Sequence, residues 1–184
     1  SLSNIYSSKI TCSDSKVITT NKQLFNYQYT GIISSQFPSA KIINCFRNPL
    51  DNLLSIYRAN FVNGNYYASS LVDSAYVYLD YDNVMDEYKK YYPTKIYDLN
   101  YDLLVSNPRN VLVDLISWLG WDWDESFLSP HLNTRSISTA SSIEVRSPIN
   151  TQSLYGWQNY SDLLRQAREI IVTKDKYKDL YVNK

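Results

Sequence analysis

The chain has 184 residues, with 18 basic and 18 acidic side chains and therefore no net charge at neutral pH. This length suits one domain with a sizeable core, and 44% hydrophobic with 20% charged residues is ordinary for a soluble globular protein. Balanced charge gives no global basic field to attract nucleic acid or a membrane surface. We therefore expect neither partner, and any anion site must be built locally.

Cysteine and histidine are too sparse for a disulfide framework or a metal site. Cys12 and Cys45 are the two cysteines, and Cys45 lies in an apolar run that predicts a small core residue. His131 is the single histidine, which cannot build a zinc site with so few partners. No apolar run is long enough for a membrane helix, and the first residues lack the apolar region of a signal peptide. These features predict a cytoplasmic protein that binds no metal.

Strands and helices alternate in the first third of the chain. Lys16–Thr20 is β-branched and predicts a short strand, and apolar residues at helical spacing predict a helix over Phe25–Phe37. Lys41–Phe46 is a continuous apolar run, which is typical of a buried parallel strand. Pro49 suits the first turn of the helix that follows, over residues 49–61.

The same alternation continues to the end of the chain. Residues 121–150 are irregular and rich in Ser and Thr. The other predicted elements are a helix over Leu71–Tyr91, a strand over Lys95–Leu99, a helix from Pro108 capped by Gly120, and a helix over Ser153–Val172. This order predicts an α/β domain whose parallel sheet is flanked by helices, with ligands bound outside the carboxyl ends of the strands.

Arg47 and Ser55 form the first candidate site. Arg47 follows the buried strand, and Ser55 comes eight residues later, about two turns into the next helix. A guanidinium suits a phosphate, and a serine hydroxyl can add one more hydrogen bond. The pair could therefore hold a phosphate monoester. The open alternative is that Arg47 pairs with Asp51 and that Ser55 faces solvent.

Three further candidates follow strands or lie in loops. Lys22 lies between a strand and a helix and could stabilise charge on a bridging oxygen, or it is a solvated surface lysine. The loop over Arg135–Pro148 concentrates hydroxyls and arginines that suit an oxyanion, or it is a plain surface loop. Tyr101 follows a strand and could contact a nucleotide, or it is an aromatic at the edge of the core.

Taken in order, these segments resemble the PAPS-dependent sulfotransferases, over about residues 17–165. The stretch FPSAKIINCFRNPLDNLLSIYRANF looks like their 3′-phosphate segment, and TTNKQLFNYQYTGII is similar to the segment before it. LNYDLLVSNPRNVLVDLISWLGWDWD and HLNTRSISTASSIEVRSPINTQSLYGWQNY resemble later stretches. The second of these is closest to bacterial enzymes related to the TPR-linked and tyrosylprotein types. The resemblance implies one domain over residues 1–184 with a P-loop-NTPase-like sulfotransferase fold.

The resemblance also implies a mechanism and roles for individual residues. The chain, or the protein of which it is part, would transfer a sulfuryl group from PAPS to a hydroxyl acceptor without a metal, leaving PAP. The acceptor could be a sugar, a peptide tyrosine, a lipid or a small molecule. Arg47 and Ser55 would hold the 3′-phosphate, Tyr101 would lie beside the nucleotide, and Arg146 would contact a phosphate. Lys22 and Ser141 would act at the sulfuryl group.

The chain departs from the family pattern at its start. The Gly-rich loop that cradles the 5′-phosphosulfate has no counterpart, so the resemblance implies an N-terminally incomplete fold. We expect a strand from residues 1–20, a partner chain or a second copy to cover the gap in the sheet. The missing loop leaves an alternative open, in which the chain binds PAP or PAPS, or serves as an interaction protein, without turnover.

Overall fold

The structure is a computed structural model that describes residues 18–59, 61, 64–133 and 146–181. Its backbone contacts divide into two compact units, Ser1–Ile43 with Tyr81–Tyr97, and Asn44–Asp80 with Asp98–Lys184. The boundary in the chain falls within both strands and within the longest helix.

The described residues form a mixed α/β structure with two strands. Short 3-10 helices precede or follow several of the α-helices. The strands are β1 (Ile42–Phe46) and β2 (Ile96–Asn100), and the α-helices are α1 (Thr30–Gln36), α2 (Pro49–Ala59), α3 (Leu71–Tyr91), α4 (Tyr101–Ser106), α5 (Pro108–Leu119) and α6 (Arg165–Ile171). None of the described helices is long and apolar enough to cross a membrane.

The two strands pair with each other as a small parallel sheet flanked by helices. The chain passes from β1 to β2 through α2 and α3, which is the helical crossover that parallel strands require. The Ile42 N–H donates to the Lys95 carbonyl at 2.8 Å in this pairing. The α/β prediction with a parallel sheet flanked by helices is therefore confirmed in this form.

The prediction that β1 is a buried strand is wrong. Its one buried residue is Asn44, whose side-chain amide donates to Asp98 at 2.7 Å. Ile43 is 40% exposed and Cys45 is also exposed, so Cys45 is not the core residue that its apolar surroundings suggest. Side chains alternate between the two faces of a strand. Residues 43 and 45 share one face of β1, and both are exposed.

The core of the second unit lies between helices rather than on the sheet. Leu50, Leu53 and Leu54 project from one face of α2 and are almost completely buried. They belong to a cluster with residues of α3, α6 and the segment before α6, namely Leu71, Ala75, Tyr78, Trp157, Leu164, Ala167 and Ile171. Burying each large apolar side chain stabilises the fold by about 1.5–3 kcal/mol, so this cluster fixes α2 and the loop that carries Trp157.

The first unit packs α1 against the C-terminal half of α3. Thr30 is buried and its hydroxyl lies 3.8 Å from the Met85 sulfur. The Lys95 ammonium donates to the Ser34 carbonyl at 2.7 Å and so ties the last turn of α1 to the start of β2. At Gly31 a Cβ would come within 2.8 Å of the Tyr88 ring, so the close approach of α1 and α3 depends on glycine.

Several predicted boundaries are confirmed and two are wrong. The helix over Leu71–Tyr91 and the helix from Pro108 with its left-handed cap at Gly120 agree with the sequence prediction. Residues 18–20 of the predicted strand Lys16–Thr20 are not in a strand, and its first two residues lie outside the described part. The predicted helix Ser153–Val172 is α-helical only over Arg165–Ile171.

Candidate functional site

The carboxyl ends of the two strands bring Arg47 and Tyr101 together. Arg47 comes directly after β1, and Tyr101 comes directly after β2 as the first residue of α4. The Arg47 guanidinium carbon lies 5.0 Å from the centroid of the Tyr101 ring, which is cation–π distance. Both groups are partly buried, and they lie together at the ends of the two strands.

Local capping explains why both residues are held at the strand ends. The Asn48 side chain accepts hydrogen bonds from the Leu50 and Asp51 N–H groups and so caps α2, which begins two residues after Arg47. Asn100 accepts from the N–H groups of Asp102 and Leu103 and begins α4 in the same way. The helix begins three residues after the end of β1 in the first case and at the next residue after β2 in the second.

Arg47 has three polar neighbours besides the tyrosine. Its Nη2 donates to the Ser153 carbonyl at 2.6 Å. The carboxylates of Asp51 and Asp102 lie 3.9 Å and 3.8 Å from its nitrogens, which is too long for a hydrogen bond. One positive and two negative groups leave this cluster with a formal charge of −1.

Both carboxylates are held by backbone N–H groups. Asp51 is 5% exposed and accepts from Tyr155 N at 2.8 Å and from Trp157 N at 2.9 Å. Asp102 accepts from Asn48 N at 2.6 Å. Charge-assisted bonds of this kind stabilise partly buried carboxylates, so the negative charges hold the backbone of the site in place as well as facing Arg47.

Two buried polar atoms of the cluster lack hydrogen bonds. The Nε atom of Arg47 and the Oδ1 atom of Asp102 form no hydrogen bond within the described residues, although they lie 3.8 Å apart as a loose ion pair. Buried polar groups are rarely left without a hydrogen bond, and bound water, an ion or a ligand can complete their bonding. The Nε atom has the chemistry to donate to an anion such as phosphate.

Ser55 lies on the exposed side of α2. Its hydroxyl forms no hydrogen bond within the described ranges. The structure thus contains both features of the alternative to a phosphate site. Arg47 forms a loose pair with Asp51, and Ser55 faces solvent. The assignment of Ser55 to a phosphate stays a prediction.

Further site residues were predicted at Lys22, Ser141 and Arg146. Lys22 is exposed and belongs to the first unit. Arg146 is exposed and donates to the Asn133 carbonyl. Ser141 lies outside the described residues, as does Arg135. Catalytic roles for Lys22 and Ser141, and a phosphate contact for Arg146, stay predictions.

The structure adds Ser153 to the site and shows that the carboxylates of Asp51 and Asp102 both lie near Arg47. The Ser153 hydroxyl lies 3.1 Å from the Tyr101 hydroxyl, and its carbonyl accepts from Arg47. Sequence reasoning missed this contact because Ser153 follows Arg47 by 106 residues. Asp102 was part of the sequence candidate at the end of the second strand, together with Tyr101. Across the described ranges, no three His, Cys, Asp or Glu side chains group as metal ligands.

Comparisons with known proteins agree with the resemblance in the sequence. A family model described as "Sulfotransferase family" matches residues 2–125. An uncharacterized protein of Aquifex aeolicus (strain VF5) is 32% identical over 149 residues, which are 79% of this chain and 20% of that protein. The chain thus spans about a fifth of the length of this relative.

Proposed function

Because the chain belongs to the sulfotransferase family, we propose that it, or the protein of which it is part, transfers a sulfuryl group from PAPS to a hydroxyl-bearing acceptor. The observation that carries this proposal is the position of Arg47. It lies at the carboxyl end of β1 beside Tyr101, and its buried Nε atom forms no hydrogen bond within the described residues. Ligands of parallel α/β sheets bind at such strand ends.

The residues of the Arg47 cluster fit a phosphate group of the nucleotide. Arg47 uses one nitrogen to bind the Ser153 carbonyl, and a guanidinium has five N–H donors in all. In the proposed complex, Arg47 and Ser55 hold the 3′-phosphate and Tyr101 lies beside the nucleotide. Arg146 adds a further phosphate contact. The exposed hydroxyl of Ser55 and the partly exposed guanidinium are both accessible to such a ligand.

PAPS supplies the activated sulfuryl group when it is bound, and the proposed part of the protein is positioning and charge stabilisation. Lys22 would stabilise negative charge near the sulfuryl group, as would the Ser141 hydroxyl. Most of the rate enhancement of such group transfers comes from fixed donors aimed at developing charge and from correct orientation. A metal is not part of this proposal, and the acceptor classes remain a sugar, a peptide tyrosine, a lipid or a small molecule.

Family membership is also the basis for proposing the finer features of the resemblance. They are a P-loop-NTPase-like sheet, a bacterial-type subgroup and a cytoplasmic location. We also propose that a partner chain or a second copy covers β1, because Ile43 and Cys45 are exposed on one face of that strand and parallel strands normally have both faces covered. Light scattering of the purified chain would give one sharp monomer mass if no second copy binds.

Calorimetric titration with PAP tests the proposed nucleotide site. AMP and ATP serve as comparison ligands because they lack the 3′-phosphate. Arg47→Ala should weaken PAP binding by about 1.5–3 kcal/mol, the contribution of a hydrogen bond to a charged group. Arg58→Ala is the matched control, because Arg58 is exposed in the last turn of α2, the helix that follows Arg47.

The formal charge of −1 around Arg47 makes this a demanding test, since two nearby carboxylates oppose an incoming phosphate. Failure of the folded chain to bind PAP would refute the nucleotide site. Equal losses in the Arg47 and Arg58 variants would remove the assignment of Arg47. PAP binding without sulfuryl transfer, in a protein that contains the whole domain, would favour the alternative of a binding protein without turnover.

A further inference from the structure

The loop that carries Ser153 forms a third side of the Arg47 site. β1 supplies the guanidinium and β2 supplies the Tyr101 ring. The loop supplies the Ser153 carbonyl, 2.6 Å from Arg47 Nη2, and the Ser153 hydroxyl, 3.1 Å from the Tyr101 hydroxyl. Two hydroxyl groups and a guanidinium therefore meet at one place, and each of these three groups can donate to an anion.

Asp51 fixes this loop at two backbone positions. Its carboxylate accepts from Tyr155 N and from Trp157 N, so it holds the turn that follows Ser153. Tyr155 has a φ of 58°, a left-handed conformation that non-glycine residues seldom adopt and that needs support from its surroundings. Trp157 is 3% exposed within the core of the second unit. The loop is thus held firmly beside Arg47.

The two hydroxyls matter because the charge of the cluster is unfavourable for an anion. Asp51 and Asp102 outweigh the positive charge of Arg47. A hydroxyl donates a hydrogen bond without adding charge, and its hydrogen can turn towards a ligand. In the Tyr101–Ser153 pair either oxygen can be the donor, so the hydroxyl that accepts keeps its own hydrogen for a third group. Both residues are partly exposed.

We propose that Ser153 and Tyr101 exchange the hydrogen bond between their hydroxyls for one hydrogen bond each to the phosphate that Arg47 holds, and that Asp51 is the positioning residue that presents Ser153 to this phosphate. This inference rests on the proposed nucleotide site and adds Ser153 to it. It also changes the role of Tyr101 from a neighbour of the nucleotide to a phosphate ligand. Asp51 acts on the ligand only through the loop and through Arg47.

The test is a comparison of PAP and AMP affinities in variants of the whole chain. Ser153→Ala should weaken PAP binding about 10-fold or more, the loss of one hydrogen bond to a charged group, and leave AMP binding unchanged. Tyr101→Phe should do the same, and the double variant should lose less than the product of the two effects because the hydroxyls act as a pair. Ser117→Ala, on the exposed side of α5, is the control.

A double variant tests the role of Asp51 through its PAP affinity. In the Asp51→Asn background, adding Ser153→Ala should cause little further loss of PAP affinity, because the loop no longer presents the serine. A purely structural Asp51 would instead leave the Ser153 effect undiminished, or lower AMP and PAP affinity alike. Either result would overturn its positioning role.

The outcomes separate this inference from the proposed function. If the unmodified chain does not bind PAP, the proposed nucleotide site and the inference about Ser153 are both refuted. If it binds PAP and responds to Arg47→Ala but not to Ser153→Ala, the nucleotide site stands and the inference is overturned. Ser153→Ala removes one oxygen from a partly exposed loop, so it keeps the test decisive even if Asp51→Asn does not fold.

Discussion

Replacing Asp51 by Asn should destabilise the second unit through one lost backbone hydrogen bond. The Asp51 carboxylate accepts from two N–H groups, at 2.8 Å and 2.9 Å. Asn has one accepting oxygen, so one of these donors would face an amide NH₂ group instead. Because Asp51 is 5% exposed, water cannot easily replace the bond. We expect a loss of about 1.5–3 kcal/mol in the free energy of unfolding.

Urea unfolding followed by tryptophan fluorescence measures this loss directly. The signal reports on the second unit because all four tryptophans lie in it, at Trp118, Trp121, Trp123 and Trp157. Asp162→Asn is the matched control, since Asp162 is exposed and such surface changes usually stay within about 0.5 kcal/mol. If the two variants unfolded at the same urea concentration with equal slopes, the argument that Asp51 holds the loop would be refuted.

Two further predictions concern α5 and the segment after it. Gly120→Ala should lower the free energy of unfolding by about 1–2 kcal/mol, because Gly120 has a φ of 77° that a residue with a Cβ adopts only at a cost. A Cβ at this position would touch nothing within 4 Å, so the cost comes from the backbone conformation alone. A urea midpoint equal to that of the wild type would contradict this prediction. Arg109, with a further hydrogen bond from Trp123, holds the pKa of Glu125 below its usual 4.5. A lowered pKa stabilises the fold above the unfolded value, and this contribution disappears as the pH falls through the folded pKa. The stability difference between wild type and Glu125→Gln should therefore be present at pH 7 and vanish in acid; a difference that persists in acid would rule out this linkage.

Local sequence signals were sufficient to predict the limits of α3 and α5. The limits of α3 follow from its apolar spacing and the proline after it, and α5 begins at Pro108 and ends at Gly120. The same signals failed over Ser153–Val172. There the Asp51 carboxylate accepts hydrogen bonds from two N–H groups of the segment. The local sequence pattern does not indicate a hydrogen bond to a distant part of the chain.

The site could be predicted only in part, because some of its residues carry a local sequence signal and others do not. Arg47 and Tyr101 each follow a predicted strand, and the carboxyl ends of parallel strands share one edge of the sheet. Ser153 contacts them through a loop whose path depends on tertiary contacts. The burial of β1 was also mispredicted, since an apolar run indicates what a strand could pack against and not whether anything covers it.

The link between Arg47 and Ser153 also bears on when this site can form during folding. The two residues are separated by 106 positions, and the entropy of closing a loop grows with its length. Contacts between distant parts of a chain tend to slow folding. A nascent chain that ends near residue 150 has therefore made both strand ends and no loop to join them. We expect the proposed phosphate site to form only after the segment around Ser153 has been synthesised and has docked, so that this later segment decides whether the two strand ends can bind a ligand.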